Sequence, residues 1–174
     1  MRRYPRLILM VVLFISFLTS YGLSKEFKLA PDFKLQDIYQ DICALSNYKD
    51  KQPVLLFFWT TWCPYCQKEL RSLNQSYAGL AEDGLEVLAI NVGELPDLVE
   101  NFTKSYYLAY RVLLDKDTSV AGSYGILGVP IYVIVDKNGY IVFQDSYFPY
   151  RGYKDLISDD KTQNPSPAQA GQAE

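Results

Sequence analysis

Histidine is absent from this chain of 174 residues, and cysteine occurs only three times, as Cys43, Cys63 and Cys66. Cys63 and Cys66 have the spacing that begins a zinc ribbon or knuckle, but such a site needs two further ligands. With no histidine and one other cysteine, the chain argues against zinc or any other metal at this pair. Basic residues are not in excess either: 17 Lys and Arg stand against 20 Asp and Glu, a formal charge of −3. That balance gives no electrostatic footprint for nucleic acid, and no basic stripe follows the aromatic residues. The fifteen tyrosines read as packing and interface material, not as the mark of a particular ligand. Residues 160–174 contain no large apolar side chain but include Pro165, Ser166, Pro167, Gln169, Gly171 and Gln172. Such a segment cannot bury enough surface to offset ordering and reads as a disordered tail.

Residues 1–24 have the order of an export signal. Arg2, Arg3 and Arg6 precede an apolar run from Leu7 to Leu18, and Thr19, Ser20 and Gly22 supply small residues after it. Cleavage near Ser20-Tyr21-Gly22 releases a soluble domain. Retention leaves residues 7–23 as a span of about 26 Å at the helical rise, enough for membrane attachment with snorkelling arginines. The arginines then stay on the cytoplasmic side, so both readings export the rest of the chain. No cysteine follows the apolar run, so a lipoprotein anchor has no support. One domain over residues 25–159 remains, with material for a sizeable core.

Within it, Val54-Leu-Leu-Phe-Phe-Trp59 is apolar without alternation, as in a central strand covered on both faces. Cys63-Pro-Tyr-Cys66 follows at once, and Leu70, Leu73, Tyr77 and Leu80 then recur at helical spacing. The pair therefore sits where a buried strand hands over to the first turn of a helix. Unpaired N–H groups and the positive dipole end of that turn favour thiolate over thiol. Cysteines at this spacing can close and reopen a small disulfide ring, the chemistry of thiol–disulfide exchange. Pro64 suits the first turn of the helix. Tyr65 adds no charge at neutral pH, which argues weakly against a strong oxidant.

Around this unit, Phe33 and Leu35 alternate with polar neighbours, and Ile42 to Leu45 suggests a returning strand, giving a small hairpin. Glu86 to Val92 reads as a second buried strand. Pro96 opens a helix carrying Leu98, Phe102 and Tyr106, and a helical turn is expected near Ser119 to Tyr124. Ile131 to Val135 and Tyr140 to Phe143 flank Asp136-Lys-Asn-Gly139, a strong hairpin signal. The order βαβα then ββα predicts an α/β fold, a mixed central sheet flanked by helices with an N-terminal β-hairpin extension.

Four ordered motifs carry a family resemblance: Ala30-Pro-Asp-Phe33, Phe58-Trp-Thr-Thr-Trp-Cys-Pro-Tyr-Cys66, Ile90-Asn-Val-Gly-Glu94 and Gly128-Val-Pro130. Over nearly all of residues 30–157 the chain resembles thioredoxin-fold thiol–disulfide oxidoreductases of the exported TlpA/ResA type, associated with cytochrome c maturation. The resemblance implies a thioredoxin-like fold and no cofactor beyond a redox-active disulfide between Cys63 and Cys66. It makes Cys63 the nucleophile and Cys66 the resolving thiol. It implies extracytoplasmic work on protein disulfides or thiols, with apocytochrome c as one substrate, and re-reduction by a membrane electron-delivery partner. Cytosolic thioredoxins carry a buried acid where Phe57 stands, so that role is vacant here, and the resemblance offers Glu94 as proton acceptor in its place. It also makes Pro130 cis, with Val129 turned toward substrate. The proline is often followed by threonine in the family, whereas Ile131 stands here. Trp62 is expected to shield the disulfide and offer a flat docking surface, beside Pro64 and Tyr65. Cys43 reads as a small buried thiol.

Three other functions compete with this reading. A disulfide-introducing oxidase differs from a reductase in potential alone. A peroxiredoxin-like peroxidase is suggested by Thr60-Thr-Trp-Cys63, though Leu56 stands where that family has proline, and a resolving cysteine three positions away suits exchange better. A redox-inactive binding module would use the aromatic surface near Tyr147, Phe148 and Tyr150.

Overall fold

A computed structural model describes residues 28–158. The expected leader and tail lie outside the described residues, and among those described no helix is long and apolar enough to cross a membrane. Eight strands form one sheet: β1 (Lys28–Leu29), β2 (Lys34–Asp37), β3 (Ile42–Ala44), β4 (Val54–Trp59), β5 (Glu86–Val92), β6 (Arg111–Asp115), β7 (Ile131–Val135) and β8 (Tyr140–Asp145). Their spatial order is β1-β8-β7-β4-β5-β6-β2-β3. Strands β4, β5 and β6 are parallel, and the remaining pairs are antiparallel. Four α-helices, α1 (Pro64–Glu82), α2 (Pro96–Lys104), α3 (Ser119–Ser123) and α4 (Tyr153–Ile157), and a 3-10 turn at Leu45–Asn47 complete the described residues.

The unbroken apolar run of β4 follows from its central place. Successive side chains point to opposite faces, so each face needs its own apolar set. Leu55, Phe57 and Trp59 enter one core with Leu70, Leu73 and Leu80 of α1 and Val99 of α2. Val54, Leu56 and Phe58 enter the other with Phe33, Leu45, Val120 and Tyr124. All six strand residues are buried. Phe57 stacks on its cross-strand partner Tyr132 with ring centroids 4.7 Å apart.

Helix α1 begins at Pro64 with Cys63 as N-cap, and Gly84 at φ +80° turns the chain out of its far end. Only glycine adopts that left-handed geometry without steric cost. At the same end Asp83 accepts hydrogen bonds from the Tyr153 hydroxyl and from Lys154 Nζ, the latter at 2.7 Å, which docks α4.

The expected hairpin forms as β2 and β3, but it is not an appendage. β2 pairs with β6 in the register Gln36↔Leu114 and Asp37↔Leu113, extending the main sheet. Buried Asp37 secures the junction: Arg111 Nε donates to its Oδ2 at 2.8 Å, and the Tyr39 and Asp41 amides donate to Oδ1 at 2.9 Å each. Strand β1 had no sequence signal; its two residues pair with Ile141 and Tyr140 of β8.

In α2 the inward face is Val99 and Thr103, while Leu98 is exposed, contrary to the periodicity drawn through Leu98, Phe102 and Tyr106. Pro96 is the first residue of the helix, so residues 99, 102 and 103 set its inward stripe. Tyr106 lies past the helix end and stacks on Phe102 at 4.6 Å, which in turn packs on Trp59 at 5.6 Å.

Leu73 is fully buried between α1 and the sheet. Leu73→Ala should cost about 2–5 kcal/mol of stability, read in urea unfolding as a lower midpoint with an unchanged slope. A midpoint equal to that of the parent would show that this face of α1 contributes little.

Candidate active site

Cys63 and Cys66 are joined as a disulfide, with Cα atoms 5.2 Å apart. Both lie at the C-terminal edge of β4, in the turn that starts α1. Cys63 occupies the N-cap, and its sulfur accepts the Cys66 amide at 3.1 Å. A helix start leaves its first amides without intrahelical partners, and here one of them points at the outer sulfur. Pro64 has no amide hydrogen, so its place in the first turn leaves no donor unmet. Cys63 retains 5% exposure and Cys66 none, so Cys63 is the more accessible sulfur. Trp62 and Tyr65 flank it and are largely exposed. Trp59, the last residue of β4, is buried in the core.

The loop before β7 forms the facing wall. The Val129–Pro130 peptide is cis, as the resemblance implies. Cys63 Sγ lies 3.9 Å from the Val129 carbonyl oxygen. The Val129 amide makes no hydrogen bond among those of the described residues. Val129 and Pro130 are both half-buried.

Glu94 follows β5 and reaches the turn before the disulfide rather than either sulfur. Its carboxylate accepts the Thr61 amide at 2.7 Å, the Thr61 hydroxyl at 2.6 Å and the Asn91 side-chain amide at 2.6 Å. From the other side Gln67 Nε2 donates to the Thr61 carbonyl at 2.8 Å. Every polar atom of Thr61 is therefore engaged, two residues before Cys63. Thr61, Gln67 and Asn91 were not legible as site residues. The threonine drew notice only as part of a Thr-x-x-Cys pattern, and nothing local marks the partners of a loop carbonyl. Three buried side-chain atoms without hydrogen-bond partners gather at this same edge: Trp59 Nε1, Thr60 Oγ1 and Asn91 Oδ1.

Below the pair, Tyr132 donates from its hydroxyl to Glu69 Oε2 at 2.7 Å. Burial, with the Glu69 carboxylate beside it, pushes the Tyr132 hydroxyl well above the ordinary tyrosine range, so it stays a donor. Glu69 stands three residues after Cys66, on the same helix face, a spacing that could have been read from the sequence. Phe57 fills the strand position of the missing acid with a fully buried ring.

Cys43 lies apart from the pair, on β3 in the other core. Its sulfur is 3.8 Å from the Tyr48 hydroxyl, and burial pushes its thiol above the ordinary cysteine value. The surface near Tyr147, Phe148 and Tyr150 is continuous with the first core through buried Phe148, which contacts Tyr132, Tyr150 and Tyr153.

In the fully reduced protein, alkylation followed by peptide mapping should therefore modify Cys63 first. Cys43 should remain unmodified until the chain unfolds, because it is inaccessible and holds its proton to higher pH than a free thiol. Labelling of Cys43 at the rate of Cys63 under native conditions would contradict this placement.

Comparison with known proteins agrees with this geometry. The AhpC/TSA family model matches residues 28–144. The thiol-disulfide oxidoreductase ResA of Geobacillus thermodenitrificans is 37% identical over 110 residues, 63% of this chain and 63% of that protein. ResA of a Bacillus cereus strain is 35% identical over 124 residues, 68% of this chain and 71% of that protein. The chain thus spans just under two thirds of the first of these relatives. A putative thiol:disulfide interchange protein DsbE from Chlorobium tepidum superimposes with a TM-score of 0.68 at 24% identity, covering 76% of this chain and 94% of that one. That likeness shows the thioredoxin-like fold. From the family match and the ResA relatives, the chain belongs to the AhpC/TSA family, on the branch that holds the ResA thiol-disulfide oxidoreductases.

Proposed function

We propose that the protein is an exported thiol–disulfide oxidoreductase that reduces protein disulfides through Cys63 and Cys66. The observation that carries this reading is the oxidised pair itself, with the outer sulfur at the start of α1 and the inner one fully buried. In the reduced protein the Cys63 thiolate attacks one sulfur of a substrate disulfide. That bond breaks, and the leaving sulfur takes a proton. Cys66 then loses its proton and attacks Cys63, releasing the second substrate thiol and closing the intramolecular disulfide. Two electrons and two protons pass to the substrate. The protein ends oxidised and requires reduction, for which an exported domain needs a membrane electron-delivery partner.

Glu94 is the candidate proton acceptor for Cys66. It is held next to the turn that carries Cys63 by three short hydrogen bonds. Val129 and Pro130 form the wall where an extended substrate segment would pair, using the unengaged Val129 amide. Trp62, Pro64 and Tyr65 complete the contact surface. Apocytochrome c is the proposed substrate on the motif resemblance of residues 30–157, and the export reading of residues 1–24 supports periplasmic placement.

Cys63→Ser should abolish reduction of a model protein disulfide, whereas Cys66→Ser should accumulate mixed disulfides visible on non-reducing gels. Trapping by the Cys63 variant instead would exchange the two roles. Equilibration with defined thiol buffers decides the direction: a potential near thioredoxin's roughly −270 mV supports a reductase, and one near roughly −120 mV makes the protein an oxidase. Glu94→Gln should slow exchange and shift the thiol titration, and unchanged kinetics would remove Glu94 from the scheme.

A further inference from the structure

Asn91 is an amide in a strand otherwise built of apolar residues. Val87, Leu88, Ala89 and Ile90 precede it on β5, all fully buried, and Asn91 itself is 1% exposed. By alternation it shares a face with Val87 and Ala89, the face covered by α1 and α2. Its partners in register are Trp59 on β4 and Leu114 on β6. Asparagine is disfavoured in strands, and a buried amide is costly unless both of its ends are paired. Here only one end is. Nδ2 donates to Glu94 Oε2 at 2.6 Å, whereas Oδ1 is buried with no partner among the described residues. The acid dictates this orientation: carboxylate oxygens only accept, so the nitrogen must face them.

Uptake of a proton reverses that demand. As proton acceptor, Glu94 takes the hydrogen of the Cys66 thiol: the S–H bond breaks, an O–H bond forms, and the thiolate attacks Cys63. The new O–H needs an acceptor. The Thr61 amide can only donate, and the Thr61 hydroxyl is engaged with Oε1 at 2.6 Å. Asn91 Oδ1 is unengaged, on a side chain already in contact with Oε2. A half-turn of the amide about its Cβ–Cγ bond brings Oδ1 to Oε2. It needs no extra room, because the two ends of the amide are alike in size.

We propose that Asn91 is the positioning residue of Glu94 and serves it in both protonation states, donating from Nδ2 to the carboxylate and accepting at Oδ1 from the carboxyl. This rests on the proton-acceptor reading of Glu94 and adds the group that satisfies the acid once it is protonated. The carboxyl then gives its proton through solvent to the departing substrate sulfur, and the amide turns back. Other charged or titratable groups on the surrounding elements are Lys68 and Glu69 on α1, Asp97 on α2, and Asp115, Lys116 and Asp117 at and after the end of β6. Glu69 takes the Tyr132 hydroxyl, and Asp115 takes the Val120 and Ala121 amides.

The test joins kinetics to NMR on the reduced protein. The rate of mixed-disulfide resolution is followed against pH by acid quench and mass spectrometry. In parallel, the Asn91 side-chain amide is observed by nitrogen-edited NMR and assigned by its absence in the isosteric Asn91→Asp variant. Its hydrogen-bonded proton should move upfield as the pH falls, with the midpoint of the acid limb of the rate profile. Both the movement and the acid limb should vanish in Glu94→Gln. Asn91→Leu, which offers neither donor nor acceptor, should slow resolution by about tenfold or more with Glu94 present. In the Glu94→Gln background it should slow resolution by less than about twofold, since groups that act as a unit are not additive. The NMR reading is made on the parent, so it decides the matter even where the leucine variant fails to fold. An Asn91 signal that stays flat through the acid limb, or equal losses in the two backgrounds, would overturn the proposal. A Glu94→Gln protein that keeps the parent's rate and acid limb would instead remove the proton-acceptor reading beneath it.

Discussion

The site depends on a sulfur taking the place of an oxygen at a helix start. N-caps are ordinarily short oxygen-bearing side chains that satisfy an orphan amide. At the head of α1 the group in that position is Cys63, and the amide it satisfies belongs to Cys66. One contact therefore begins the helix, links the two cysteines and points a donor at the outer sulfur. The rest of the fold keeps that turn in place. β4 is buried on both faces and cannot shift, α1 lies along it through Leu70, Leu73 and Leu80, and cis Val129–Pro130 closes the other side.

Thiolate stabilisation by a helix start is a local effect, but its use requires the preceding turn to be rigid. Here rigidity comes from a residue that does no chemistry. Thr61 is held by Glu94 on one side and by Gln67 on the other. The acid is thus engaged by three donors, two of them on the turn that leads to the pair. The buried polar atoms without partners at the same edge show where the fold accepts polarity in its interior. Natural proteins keep such departures from local rules mainly at sites of function.

What the sequence disclosed and what it hid divide along physical lines. Elements set by short-range pattern were legible: the strand Glu86–Val92, the start of α2 at Pro96, the turn at Gly139 and the strand–helix junction at Cys63. The cis peptide and the position of Glu94 came through motif resemblance, because no spacing rule reports them. Contacts between distant segments were not legible. Nothing local announces that Asp37 and Arg111 join the hairpin to the main sheet, that Gln67 reaches back to Thr61, or that Tyr132 donates to Glu69. The outward turn of Leu98 was missed because Leu98 and Val99 are adjacent apolar residues, and local pattern does not say which of the two faces the core.

The register of β1 carries a consequence for how the domain is held. Lys28 pairs with Ile141, Ile141 stands opposite Val135, and Val135 opposite Val54, so the first described strand lies beside the beginning of β4. The disulfide lies beyond its other end, about 20 Å away along six strand residues. A polypeptide approaching Lys28 therefore joins the domain at the pole remote from its chemistry.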